Sequence, residues 1–225
     1  MNYLISIFLT LAALMSSSAI YSQKNIESTP LIIGETLQIE SKILDEKRVL
    51  NVYLPNGYEE KKSQEYPVIY LLDGTIDEDF LHVVGFIQFG SFSWINFVPE
   101  SIVVGIANID RKKDFTFPSN NERDKKEFPM AGHSKPFIQF IKEEVMQTIE
   151  STYRTTGNKT LVGQSLGGLL ATEILFTETA VFDNYVIVSP SMWWDNASLF
   201  NKQPTIFQDD PSIFIAVGKE GPNME

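Results

Sequence analysis

Residues 160–170, TLVGQSLGGLL, constrain the fold more tightly than any other stretch of the chain. An apolar, strand-like run enters the segment and a helix-like run leaves it, with Gly163, Ser165, Gly167 and Gly168 at the junction. Passing from strand to helix over so few residues requires a sharp bend at Ser165. The flanking glycines remove side chains that would collide in such a bend. A junction of this kind needs a strand buried in a sheet and a helix laid back on it, which is one unit of a layered α/β architecture.

The remaining sequence supplies the other units. TLQIESKIL (36–44) and RVLNVYLP (48–55) alternate as half-buried strands do, with Asp45, Glu46 and Lys47 between them, so they predict an antiparallel hairpin. PVIYLLDG (67–74), SIVVGIA (101–107), KTLVG (159–163), YVIVSPS (185–191) and SIFIAVG (212–218) are continuous apolar runs, as expected of strands covered on both faces. Phe137, Phe140, Ile141, Val145 and Ile149 recur at spacings of three and four and predict one helix face, with Ser134 placed to cap it and Pro136 in its first turn. A second helix is expected over residues 167–176. The charged, turn-rich segment Asp110–Met130 reads as a long surface excursion of the same domain. The expected fold class is α/β: a mostly parallel sheet with an N-terminal antiparallel hairpin and helices on both faces.

Residues 2–15 are apolar and uncharged, SSSAIYSQ follows, and the first charged residue is Lys24. This is the layout of a secretory signal peptide, assigned to residues 1–22 with cleavage between Ala19 and Lys24. The run is shorter than the roughly 20 residues that span a bilayer. The expectation is therefore a domain over 23–225, exported to a periplasmic or extracellular space, with no membrane insertion after cleavage. The absence of cysteine removes disulfides, thiolate metal sites and a cysteine nucleophile from consideration. A formal charge of −11 argues against a nucleic-acid partner and against docking on anionic lipid.

The bend at Ser165 also carries chemistry. A serine on a strained strand–helix turn presents its hydroxyl as a nucleophile, and the helix N-terminus behind it favours developing negative charge. In folds with such an elbow one oxyanion donor is the amide after the nucleophile, here Leu166. The other comes from the loop after the third strand, here Gly74 or Thr75 in YLLDGT.

YLLDG, then N-x-D-R-x-x-D at Asn108–Asp114, then GQSLGG, then SPSMWW (189–194), occur in that order over nearly all of residues 23–225. Together they resemble the putative-esterase family of α/β-hydrolases, which includes siderophore esterases and feruloyl esterases. The resemblance implies the α/β-hydrolase fold and hydrolysis of a small-molecule carboxylic ester by a Ser–His–acid triad, with no cofactor and no metal. It makes Ser165 the nucleophile, places Trp193 and Trp194 at the substrate pocket, and matches Arg111 and Asp114 to a polar segment whose expected role is a structural ion pair.

Triad order in this fold is serine, acid, histidine. Glu220, just past SIFIAVG, is the expected acid, with Glu225 and then Asp195 as further choices. No histidine follows Ser165. His82 lies in the apolar stretch FLHVVGF and His133 in a polar loop, and neither holds the expected place. Ending just past SIFIAVG leaves a central-type strand as an open edge. The chain accordingly reads as a copy lacking its last strand, last helix and histidine loop. The rival expectation is a non-catalytic ligand- or partner-binding protein on the same scaffold, using the Trp193–Trp194 surface and the acidic face.

Overall fold

The apolar runs pair into one seven-stranded sheet in a computed structural model that describes residues 27–178, 181–204 and 210–218. The signal peptide assigned to residues 1–22, and the candidate acids Glu220 and Glu225, lie outside the described residues. The strands are β1 (Glu35–Ser41), β2 (Glu46–Tyr53), β3 (Tyr66–Leu71), β4 (Ile102–Ile106), β5 (Thr155–Gln164), β6 (Asn184–Val188) and β7 (Ser212–Ala216). Their order across the sheet is β1-β2-β4-β3-β5-β6-β7. β2 runs antiparallel to both β1 and β4, and the other pairs are parallel. This is the α/β-hydrolase fold.

The order places the site. β3 lies between β4 and β5, so successive crossovers leave it toward one edge of the sheet and then return to the other. The carboxyl ends of β3 and β5 are thus neighbours at a switch point, where open α/β sheets bind ligands. Residues 72–75 and Ser165 both emerge there.

Helices α1 (Phe80–Gly90), α2 (Arg111–Phe115), α3 (Glu122–Glu127), α4 (Ser134–Phe140), α5 (Met146–Thr152) and α6 (Leu166–Thr177) flank the sheet. The predicted five-residue face is buried throughout: Phe137, Phe140, Ile141, Val145 and Ile149 all belong to the main core. It is spread over α4, a π-helical turn at Ile141–Val145, and α5. Ser134 does not cap the helix. It is the first residue of α4, wholly buried, with His133 before it and no side-chain cap. Leu161, Leu169, Leu170 and Ile174 join the same core. A smaller cluster of Tyr53, Ile69, Leu71 and Val103 lies with Phe80, Val84 and Ile87 of α1 on a separate patch.

The segment Asp110–Met130 runs over the surface as expected, but it is anchored in the core at five residues. Asp114, Phe115, Thr116, Phe117 and Asp124 are buried. Phe115 rests 5.6 Å, centroid to centroid, from Phe137, and Arg48 Nη1 donates to Asp114 Oδ2 at 2.7 Å inside the protein. A few aromatic anchors and one buried ion pair outweigh the polar composition that suggested a solvated loop. β7 is one of the two edge strands of the sheet, with Ile213, Phe214 and Ile215 exposed.

The chain divides into two compact units, Met1–Ile32 and Ile33–Glu225, and all of these elements belong to the second. Among the described residues no helix is long and apolar enough to cross a membrane.

Candidate active site

Ser165 is the single residue between β5 and α6, and its backbone sits at φ 55°, ψ −116°. A non-glycine residue held there stores about 1–3 kcal/mol of strain, which the surroundings must over-determine. They do so from three sides. The Ser165 amide donates to Val188 O at 3.0 Å, while its carbonyl accepts from Leu169 N and from Ser191 N, each at 2.9 Å. The bend also brings two stretches of backbone together. A Cβ added at Gly163 would lie 2.4 Å from Gly167 O, so only glycine is accommodated. Leu166 opens α6, and its amide therefore has no acceptor within the helix and points outward at the positive end of the dipole.

The loop after β3 approaches from the neighbouring strand. Here the sequence expectation needs a correction. The Gly74 amide donates to Ile106 O at 3.0 Å and is not free for an oxyanion. Gly74 is instead required for close approach, since an added Cβ would sit 2.2 Å from Gly105 Cα. The Thr75 amide has no acceptor among the described residues, so of the two it is the available donor. The Thr75 hydroxyl donates to Glu78 Oε2 at 2.9 Å, and its carbonyl accepts from the Glu78 and Phe80 amides, which fixes the turn.

Asp73 precedes this pair, buried and at φ 56°. Its Oδ1 accepts from Asn108 Nδ2 at 2.5 Å and from Arg111 Nε at 2.6 Å, and its Oδ2 accepts from Arg111 Nη2 at 2.8 Å. Arg111 therefore pairs with Asp73 and not with Asp114, whose partner is the buried Arg48. The polar segment contributes two separate ion pairs, one at the site and one in the core.

The hydroxyl of Ser165 lies 3.2 Å from that of Ser191, which follows β6 and is buried. The two tryptophans beyond it separate. Trp194 is 2% exposed, its Nε1 donates to Phe117 O at 2.8 Å and ties two loops together, and it lines a cavity of about 210 Å³ with Pro118, Phe128 and Ala131. Trp193 is 56% exposed and borders an apolar cavity of about 480 Å³ with Phe176, Met192, Phe200 and Ile215. Ser165 is not among that cavity's lining residues.

Asp195 is buried, and its oxygens accept from Asn120 N (2.6 Å), Asn121 N (3.2 Å), Ser119 Oγ (3.1 Å) and Ser198 Oγ (2.6 Å). Burial alone would raise its pKa, but these donors outweigh burial and hold it below the usual carboxylate range. The carboxylate clamps the loop before α3 to the turn Asp195–Ala197, in which all three residues are left-handed. The histidines stand elsewhere: His82 is exposed on α1 with Nδ1 4.0 Å from Asp79 Oδ1, and His133 is exposed with its amide on Lys113 O at 2.9 Å. Among the described residues no cluster of three or more His, Asp or Glu side chains could hold a metal ion.

The structure thus gathers Ser165, Leu166 and Thr75 at one end of the sheet and ties up the Gly74 amide on Ile106 O. Sequence reasoning missed Asp73, Asn108 and Ser191 as parts of the site. The available signal was their adjacency to Gly74, to Arg111 and to the SPS triplet.

A family profile described as "Putative esterase" matches residues 41–224. The chain is 28% identical over 171 residues to the ferri-bacillibactin esterase BesA of Bacillus subtilis (strain 168), covering 70% of this chain and 59% of that protein. The chain therefore spans less than two thirds of that relative's length. Among solved structures, an IroE-like serine hydrolase from Shewanella oneidensis superposes with a TM-score of 0.68 at 35% identity, over 75% of this chain and 54% of the other. The BES protein from Bacillus cereus superposes with a TM-score of 0.75 at 28% identity, over 89% and 81%.

Proposed function

The chain belongs to the putative-esterase family, and from that premise we propose that it carries the nucleophile and oxyanion donors of a serine carboxylic-ester hydrolase. The observation that supports this best is the strained backbone of Ser165, φ 55° and ψ −116°, at the first turn of α6. Strain of this kind persists where it serves a site.

In the proposed reaction Ser165 Oγ attacks the ester carbonyl carbon and gives its proton to a base. The carbonyl oxygen becomes an oxyanion facing the Leu166 and Thr75 amides. Collapse of the tetrahedral intermediate breaks the ester C–O bond. The alcohol leaves with the proton, and water later releases the acid from the acyl-serine. Losing one oxyanion donor of this type costs roughly 2.7–4 kcal/mol of barrier.

Glu220 is the proposed acid. It follows Gly218, whose amide donates to Ser189 Oγ at 3.3 Å, two residues from the Ser191 that touches the nucleophile. The base in the proposed reaction is a histidine, which in this fold follows the acid in chain order. The proposed substrate class is a small-molecule ester of the siderophore kind, which rests on the name of the Bacillus subtilis relative. The proposed setting is outside the cytoplasm, which rests on the apolar leader over residues 2–15.

The test is prolonged exposure of the full chain to a fluorophosphonate, followed by peptide mapping. Modification confined to Ser165, and absent from Ser165→Ala, is the expected result. A folded chain left unmodified at Ser165, or modified equally at other serines, ends the reading.

A further inference from the structure

The two amides proposed to face the oxyanion arrive on different parts of the chain, Thr75 after β3 and Leu166 at the start of α6. One side chain reaches both approaches. Arg111, on α2, grips Asp73 through Nε to Oδ1 at 2.6 Å and Nη2 to Oδ2 at 2.8 Å, and the same Nη2 donates to Gln164 O at 3.3 Å. Asp73 stands two residues before Thr75, and Gln164 two residues before Leu166. The guanidinium is therefore a strut of fixed shape between the two halves of the site. Asn108 Nδ2, on Asp73 Oδ1 at 2.5 Å, braces the same carboxylate from the end of β4.

Charge gives this contact a second consequence. The Asp73 carboxylate is buried against the nucleophile helix: an added Cβ on Gly167 would lie 3.3 Å from Asp73 Oδ2. An unpaired anion there would repel negative charge developing on a bound ester. A bidentate guanidinium cancels it without adding a mobile ammonium group, and lysine, a point charge on a flexible stem, cannot reproduce the fork.

We infer that Arg111 is a positioning residue of the oxyanion hole, holding the Thr75 and Leu166 amides in register and neutralising Asp73 beside them. This rests on the reading of Ser165 as the nucleophile. It accounts for why a polar side chain only one third exposed is spent on a buried carboxylate.

The experiment uses the full chain and two probes of matched shape. One is an alkyl trifluoromethyl ketone, which adds to a serine hydroxyl to give a tetrahedral hemiketal. The other is the corresponding methyl ketone, which stays trigonal. Fluorine NMR reports the adduct, its affinity and the ionisation of its oxygen. For Arg111→Met the expected result is a loss of hemiketal affinity on the order of tenfold or more, since misplacing a reacting geometry by 1 Å can cost about a hundredfold. The hemiketal oxygen should also ionise at higher pH. The methyl ketone should change by less than about twofold, because only the tetrahedral species places charge in the hole.

Arg111→Lys keeps the charge at a position about one third exposed and should recover little of the loss. Adding Asp73→Asn to Arg111→Met should recover part of it. Parallel weakening of both ketones, or hemiketal affinity in Arg111→Met and Arg111→Lys within about twofold of the parent, overturns the inference while leaving Ser165 as nucleophile. If the parent forms no adduct, or Ser165→Ala forms the same one, the esterase reading itself fails and takes the inference with it.

Discussion

The hydroxyl oxygens of Ser165 and Ser191 lie 3.2 Å apart, and the Ser191 amide donates to the Ser165 carbonyl at 2.9 Å. Ser191, in the loop after β6, thus holds both the backbone and the side chain of the bend between β5 and α6. The proposed role of Ser165 needs a defined rotamer before a base can take its proton, and the neighbouring hydroxyl supplies one of the contacts that define it. Ser191→Ala should slow fluorophosphonate modification of Ser165 by roughly two- to tenfold, the worth of about 0.5–1.5 kcal/mol for one neutral hydrogen bond. The melting temperature should barely move, because the Ser191 amide contact survives. An unchanged modification rate would show that the hydroxyl contact does not orient Ser165.

Gly163 tests the bend from beneath. An added Cβ would lie 2.4 Å from Gly167 O and 2.6 Å from Gly167 C, both backbone atoms that cannot rotate away. Gly163→Ala should therefore destabilise the protein by about 1–3 kcal/mol through overpacking. It should also depress Ser165 reactivity by widening the turn. Urea unfolding and fluorophosphonate labelling measure the two effects, and a variant as stable and as reactive as the parent would contradict the close packing.

How much of this was legible in the sequence depends on the range of the interaction. The hairpin, the five apolar runs and the Phe137–Ile149 face are local periodicities, and each became the element it predicted. Ser165 and Leu166 were legible because a glycine-flanked bend is also local. Distant pairings were not. Whether Gly74 or Thr75 keeps a free amide depends on Ile106, a residue of another strand. Whether Arg111 meets Asp73 or Asp114 depends on the sheet order that brings β3 beside β4. Trp193 and Trp194 are adjacent in sequence, yet the Phe117 carbonyl draws one indole into the core and leaves the other exposed. The segment around Phe115 and Phe117 looked solvated for the same reason: its charges are visible in the sequence, while the aromatic partners that bury it lie far along the chain.

Asp195 offers a stability test with a defined pH sense. Its carboxylate satisfies two backbone amides and two hydroxyls, and donors left without an acceptor in the interior cost about 1–3 kcal/mol each. Asp195→Ala should therefore lose on the order of 3 kcal/mol at neutral pH and free the loop before α3 from the Trp194 turn. The donors hold the folded-state pKa below the usual value, against the opposing effect of burial. The stabilisation is thus complete above the unfolded value of about 3.9 and is lost as pH falls through the lower folded value. The gap between parent and variant in urea unfolding should be wide at about pH 7 and should narrow only in that acid range. A gap that does not change with pH would mean that shape, not charge, makes the clamp.

Glu173 carries the opposite sign. It sits two turns along α6 from Ser165, 7% exposed, with no hydrogen-bond partner for Oε2 among the described residues. Burial raises its pKa above the ordinary glutamate value. A carboxyl whose folded pKa is raised favours folding in its neutral form. Its contribution is therefore fully present below the unfolded value of about 4.3 and is lost as pH rises through the folded one. Glu173→Gln keeps the shape and cannot ionise, so it should be more stable than the parent at about pH 8 and match it near pH 4. The gain is confined to the alkaline side because burial raises the folded pKa, and it is limited because Ser134 and Lys202 favour the anion. Thermal unfolding across that range decides it. A glutamine variant less stable than the parent at alkaline pH would mean that the Glu173 anion is well accommodated and that the helix behind Ser165 tolerates its charge.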